Sequence, residues 1–336
     1  MNLRQNNNFD VLRFVAASLV LLSHSFPISR GGDGGEPLYV VTNGKQTLGH
    51  IAVVIFFVVS GFLIAGSWIG RKKVSSFMFS RVLRIVPGLA VMLLLTVLAG
   101  AFVTVDSQAY PLSAVTYFFR NVLLFKGQGD LAGVFVDNPY GSVVNGSLWT
   151  LRIEFSCYLV VATLGACGRL DRFWTWVTWA VVLLLSMKSG MPTSFLRELL
   201  PLLVWFLGGV LAYLYRDILV PKQFGWIGAG IIICFLVLGI DLIYISPLLS
   251  FAIIYLAYKD GPLVNFGKNG DFSYGIYIYA FPVQQFLASK FYGLEWWGNV
   301  LIGFPITLLL AMLSWHFVEK KSLRLKSVLL AGRIGK

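Results

Sequence analysis

Apolar runs of about 20 residues follow one another along the chain, separated by short polar breaks, which is the spacing of helices that cross a hydrocarbon core about 30 Å thick. Ten spans are predicted, at 9–29, 50–69, 84–104, 146–166, 173–190, 197–215, 224–240, 243–258, 272–291 and 297–317. Only Ile240, Asp241 and Leu242 separate the seventh from the eighth, and Pro247 follows, so that pair also reads as one kinked unit. Continuous runs rather than short alternating segments disfavour a transmembrane β-barrel. The predicted fold is an all-α, polytopic transmembrane helical bundle.

Composition agrees with the pattern. The 336 residues are 57% hydrophobic and 12% charged, half the roughly 25% charged content of soluble domains. The net charge of +12 raises nucleic acid as a partner, but the charges lie in short loops and a tail, where they orient a membrane protein instead. With both termini in the cytoplasm, 19 of the 27 basic residues fall on the inner side and seven outside, Arg152 lying within a span. Residues 1–318 form the expected membrane domain and 319–336 a basic cytoplasmic tail. Arg4 precedes the first apolar run as in a signal peptide, but that run is long, contains Arg13 and lacks a small-x-small site, so a retained span is expected. Cys157, Cys167 and Cys234 show no CxxC spacing, and neither a metal site nor a disulfide framework is expected. Between spans, residues 30–49 read as a flexible Gly-rich loop. Residues 105–145, with an amphipathic piece from Leu112 to Phe125, form a loop long enough to suggest function.

Ionisable groups inside spans are costly and mark candidate sites. The first span, FDVLRFVAASLVLLSHSFP, carries Asp10, Arg13 and His24. Eleven residues place Arg13 and His24 on one stripe, about 16 Å apart along the axis. In the fourth span, Glu154 shares a polar stripe with Ser147, Thr150 and Tyr158, while Arg152 points away. His24 and Glu154 fall at similar depths below the outer surface, consistent with an acid–base pair or with a structural ion pair involving Arg13 or Arg152. In the ninth span, Tyr274, Tyr277, Phe281, Gln284 and Gln285 share a face. With Trp149 of the fourth span, Tyr274 and Tyr277 are candidate saccharide contacts, an interfacial aromatic belt being the alternative. Arg81 and Arg84 share a helix face at the inner end of the third span, suited to the phosphates of an anionic cofactor or to setting topology. His50 and His316 lie at span ends and read as interfacial residues.

These stretches resemble the integral-membrane acyltransferase 3 family, bacterial O-acyltransferases of cell-surface polysaccharides. The likeness rests on FDVLRFVAASLVLLSHSFP with its Arg-x10-His spacing, FFVVSGFLI, FSRVLRIVP, NGSLWTLRIEFSCYL, SYGIYIYAFPV and HFVEKKSLRLK, in that order over nearly the whole chain. The resemblance implies a multi-pass protein of the bacterial inner membrane. It would move an acetyl or other acyl group from cytoplasmic acyl-CoA to a hydroxyl of a saccharide or lipid-linked saccharide, such as lipopolysaccharide O-antigen. It marks Arg13 and His24 as the essential pair, Glu154 as the acidic position after LWTL, and Arg81 and Arg84 as acyl-CoA contacts. Many relatives have His where Ala280 stands. In the expected mechanism the phosphates of CoA rest on Arg81 and Arg84, and the thioester arm passes Arg13 towards His24. A neutral imidazole then acts as general base or as acyl-accepting nucleophile. No metal is required. A transporter, for which intramembrane charges are equally natural, is the competing class.

Overall fold

The computed structural model describes residues 7–124, 127–188, 190–217, 241–258, 264 and 266–331. Helices dominate these residues, and no β-strand occurs among them; Asp130 and Val143 form an isolated bridge. The helices are α1 (Phe9–Arg30), α2 (Pro37–Val41), α3 (Leu48–Ile69), α4 (Val74–Gly100), α5 (Tyr110–Val122), α6 (Trp149–Ala166), α7 (Arg172–Ser186) and α8 (Ser194–Leu214). They continue as α9 (Ser246–Ala257), α10 (Ser273–Lys290), α11 (Trp296–Ser314), a π-helical turn (Trp315–Glu319) and α12 (Lys320–Ala331). Among the described residues, five helical stretches are long and apolar enough to cross a membrane: α1, α3, α4, α8 and Trp296–Leu325. α7 and residues 242–257 are shorter apolar helices. The expected seventh span, with Cys234 inside it, lies outside the described residues.

The chain divides into two compact units, one of residues 1–13, 54–78 and 153–267, the other of residues 14–53, 79–152 and 268–336. In the first, α8 packs against α7 and α9, and glycines bring α3 against α8. A Cβ at Gly61 would collide with the Phe206 carbonyl, and one at Gly209 with the Val58 carbonyl, so the two backbones meet directly. Phe62 joins this contact through its ring to Tyr213 (5.2 Å between centroids) and Phe9 (5.4 Å). Helix starts follow from local chemistry. Asp171 accepts from the Trp174 amide at 2.9 Å, and Thr193 from Leu196 at 3.2 Å, each filling a donor that a helix leaves unpaired.

In the second unit α10 and α11 pack side by side, Gly275 resting against Ala311. Two loops that the sequence marks as irregular are built structures. Within 30–49, Glu36 is fully buried; its carboxylate caps α2 through the Tyr39 amide (2.7 Å) and takes the Leu48 amide (2.6 Å) at the start of α3. The expected flexible loop is therefore tied at both ends by one side chain. In the long loop, Thr104 donates to the Ala132 carbonyl (2.7 Å), Val105 to Gly133 (3.0 Å) and Val144 to Gly129 (2.7 Å). The amphipathic piece becomes α5, with Tyr110, Ala114, Tyr117 and Asn121 buried. α4 begins ten residues before the predicted third span, and Arg81 and Arg84 share that helix, as the sequence spacing predicts.

Replacing Gly61 by Ala forces the α3–α8 contact apart. The variant should lose about 1–3 kcal/mol of stability, a cost typical of overpacking. Thermal unfolding in detergent should show a clear fall in Tm for Gly61→Ala and none for Gly32→Ala, where the added carbon meets nothing within 4 Å.

Candidate active site

His24 is the half-buried imidazole of α1, and its Nδ1 is buried without a hydrogen-bond partner among the described residues. An aromatic edge holds the ring instead. Phe281 of α10 packs against it in a T-shaped contact, centroids 5.1 Å apart and planes at 77°. Tyr140 meets the same phenyl ring at 5.6 Å. Gly146 closes the far side, where a Cβ would approach Phe281 to 2.6 Å, so only glycine permits this spacing.

Asn145 fixes that glycine. Its amide donates to the Ile278 carbonyl of α10 at 2.9 Å, and its side-chain oxygen accepts from the Ser147 backbone at 3.0 Å, closing an Asx turn. Asn145 is 4% exposed, which leaves the Asn-Gly-Ser sequon folded inward. The Ser147 carbonyl accepts from the Tyr277 hydroxyl (3.0 Å) and the Thr150 hydroxyl (3.2 Å), which also bond each other. Ser147 Oγ is buried without a partner among the described residues.

Two adjacent amides on α10 hold this arrangement. Gln284 Nε2 donates to the Leu21 carbonyl at 3.0 Å, one turn before His24 on α1. Gln285 Nε2 donates to the Gly141 and Val143 carbonyls at 3.1 and 2.7 Å, and its Oε1 accepts from Asn138 at 2.8 Å. The ninth-span face predicted from the sequence is therefore brought together with His24, and its bonds run mainly to backbone carbonyls. Tyr277 joins the cluster. Tyr274 is buried against α4, donating to the Ile85 carbonyl at 2.7 Å, while Trp149 is 43% exposed.

Arg84 is bound at a second centre. Its guanidinium pairs with Asp271 and, at 3.4 Å, with Glu319, and lies over the rings of Tyr274 (5.8 Å) and Trp315 (5.7 Å). Glu319, 2% exposed, also accepts from Ser314 at 3.0 Å across the π-helical turn. A buried charge needs such partners, since desolvation alone would cost several kcal/mol. No sequence pattern joins these two carboxylates to Arg84, because they stand 187 and 235 positions away. Arg81, one turn earlier, directs Nε and Nη2 at the buried Ser80 hydroxyl (3.3 and 3.2 Å).

Glu154 belongs to the first unit. Its Oε1 accepts from Ser60 at 3.0 Å, in the FFVVSGFLI segment of α3, and from Tyr158 one turn along α6; the Tyr158 ring meets Phe206. The predicted Glu154–Tyr158 stripe is thus a bonded pair, completed by a serine that the sequence had not marked. Arg13 and Asp10 are carried by α1 in the same unit.

Comparison with known proteins shows what the chain as a whole is similar to. A family model described as an acyltransferase domain matches residues 6–316. An "O-acetyl transferase" of Shigella phage Sf6 is 30% identical over 340 residues, covering 96% of this chain and 97% of the relative. "Nodulation protein 10" of Rhizobium leguminosarum bv. viciae is 30% identical over 366 residues, covering 98% and 96%. No solved structure matches. With the family model spanning almost its whole length, this chain belongs to the acyltransferase 3 family.

Proposed function

We propose that this protein is a multi-pass O-acetyltransferase of the bacterial inner membrane, with about ten spans and both termini cytoplasmic. It moves the acyl group of cytoplasmic acyl-CoA to a sugar hydroxyl of a cell-surface polysaccharide of the lipopolysaccharide O-antigen type. Family membership and the phage O-acetyl transferase support the reaction class. The observation that carries the site is His24. It is an imidazole held by ring packing, with a buried nitrogen that no described residue occupies.

In the proposed reaction the neutral imidazole takes the proton of the sugar hydroxyl as its oxygen attacks the thioester carbonyl. The carbon–sulfur bond then breaks, and the CoA thiolate leaves and is reprotonated. The same nitrogen could accept the acyl group first; an acyl-protein formed by wild-type enzyme without acceptor, and absent in His24→Ala, distinguishes that route. Arg81 and Arg84 are assigned to the donor phosphates. Arg13, about 16 Å before His24 along the continuous helix α1, is assigned to the donor arm. Tyr277 and Trp149 are assigned to the acceptor side and Glu154 to charge balance in the reaction; Tyr274, expected there from the sequence, instead packs under Arg84 and bonds the Ile85 carbonyl, at the donor end.

His24→Ala should abolish acetyl-CoA-dependent acetylation in membranes, by at least about a hundredfold if a general base is removed. Expression and Tm should stay near wild type. Transfer at a near-normal rate by the folded variant would refute the assignment, and mass spectrometry of surface glycans from cells with and without the protein would identify the acceptor.

The two arginines should separate in their effects. Arg81→Ala should raise the KM for acetyl-CoA about tenfold with little change in the KM for the acceptor, as expected when a charged phosphate contact is lost. Arg84→Ala leaves Asp271 and Glu319 without their cation and should also cost about 3–5 kcal/mol of stability, read as a large drop in Tm. An unchanged Tm for Arg84→Ala would contradict its structural role.

A further inference from the structure

A groove of about 400 Å³ lies on the second unit, within the range of pockets that hold small ligands. Leu95 and Ala99 of α4, Val283 and Phe286 of α10, and Ile306 and Leu310 of α11 form its walls. No charged residue lines it. Of its two polar side chains, Thr96 turns its hydroxyl back to the Met92 sulfur at 3.3 Å, and the other is Tyr279. A surface of this chemistry recognises hydrocarbon and offers a sugar or a phosphate almost nothing to bond. Leu95, Phe286 and Ile306 are each about 40% exposed or more, and Leu95 and Ile306 lie on helices that are candidate membrane spans, so the groove is open on that side.

Val134, Phe135 and Val144 of the long loop also line it. Phe135 has φ +56°, a left-handed conformation that a bulky residue adopts only at a cost of order 1–3 kcal/mol. Such strain persists where the surroundings enforce it, and here it sets a phenyl ring in the groove's lining. These residues lead directly to the candidate active site. Val144 precedes Asn145 and Gly146, which pack on α10 beside His24, and Phe281 against His24 is followed directly by Pro282, a groove residue. One helix, α10, thus separates the groove from the imidazole.

We infer that this groove holds the hydrocarbon tail of a lipid that carries the saccharide acceptor, placing its head group at the Val134–Ser147 segment next to His24. The inference rests on the acyltransferase reading and names its acceptor as lipid-borne rather than free in water. It also gives the long loop a task, as part of the lining against which the tail is seated.

The test uses full-length protein in nanodiscs and acceptor saccharide extracted from the producing cells, either on its lipid or released from it. The lipid-borne form should raise the Tm of the wild-type protein, and the released form should not. Val283→Trp, which fills the groove, should remove that shift. It should also lower the ratio of kcat/KM for lipid-borne over released acceptor about tenfold. Ala99→Leu, a smaller intrusion from the opposite wall, should act in the same direction and guards against a folding defect in the tryptophan variant. An equal loss for both acceptor forms, an unchanged ratio, or the same Tm shift from ordinary phospholipid or long-chain acyl-CoA would overturn the inference. The Tm measurement needs no turnover, so it separates failure of this proposal from failure of the acyl-transfer reading.

Discussion

The bond from Gln284 to the Leu21 carbonyl links the helix that carries His24 to the helix that organises everything around it. An apolar environment gives buried polar groups no water to fall back on, so each must find a partner within the protein. α10 meets that demand with two consecutive amides. Gln284 reaches α1, and Gln285 gathers two carbonyls and Asn138 from the loop that precedes α6. Because these bonds end on backbone atoms, they fix the path of the chain rather than one side chain. Helix, loop and imidazole therefore move as a set, and a displaced α10 would disturb all three.

Arg84 solves the same problem with charge. One guanidinium, two carboxylates and two aromatic faces tie α4 to the segment before α10 and to the turn after α11. Such clusters are poor sources of net stability but costly to break, since removing one member strands the others. The π-helical turn at Trp315–Glu319 fits this reading: an extra residue in the turn lets Glu319 reach both Ser314 and Arg84. Arg81, one turn earlier on α4, directs its guanidinium at the buried Ser80 hydroxyl.

The helices were legible in the sequence because length and apolarity alone announce them, and α1, α3, α4 and α8 fall on predicted spans. The polar stripe from Glu154 to Tyr158 was legible too, since four residues bring side chains together on a helix. Partners from afar were not. Ser60 for Glu154, and Asp271 and Glu319 for Arg84, follow from tertiary packing that no local period encodes. Glu36 was hidden differently, inside a glycine-rich stretch whose composition suggests mobility while one carboxylate fastens two helix starts. Gly146 carries no signal of its own in the sequence; its role is visible only against the Phe281 ring.

The way His24 is held bears directly on what it can do. A catalytic imidazole is commonly oriented by a hydrogen bond to one nitrogen, which fixes the tautomer but also commits that nitrogen. Here the ring is held by its T-shaped contact with Phe281, and Phe281 is in turn confined by Tyr140 and by a glycine too close to tolerate a side chain. Orientation by packing leaves the ring's hydrogen-bonding capacity for the reaction. It also makes the site sensitive to volume more than to charge: a methyl group at position 146 would shift Phe281, and with it the imidazole, without altering any ionisable residue. Displacements near 1 Å are enough to cost a reaction about a hundredfold. In the proposed reaction the geometry at His24 therefore depends as much on one glycine and one phenyl ring as on the histidine itself.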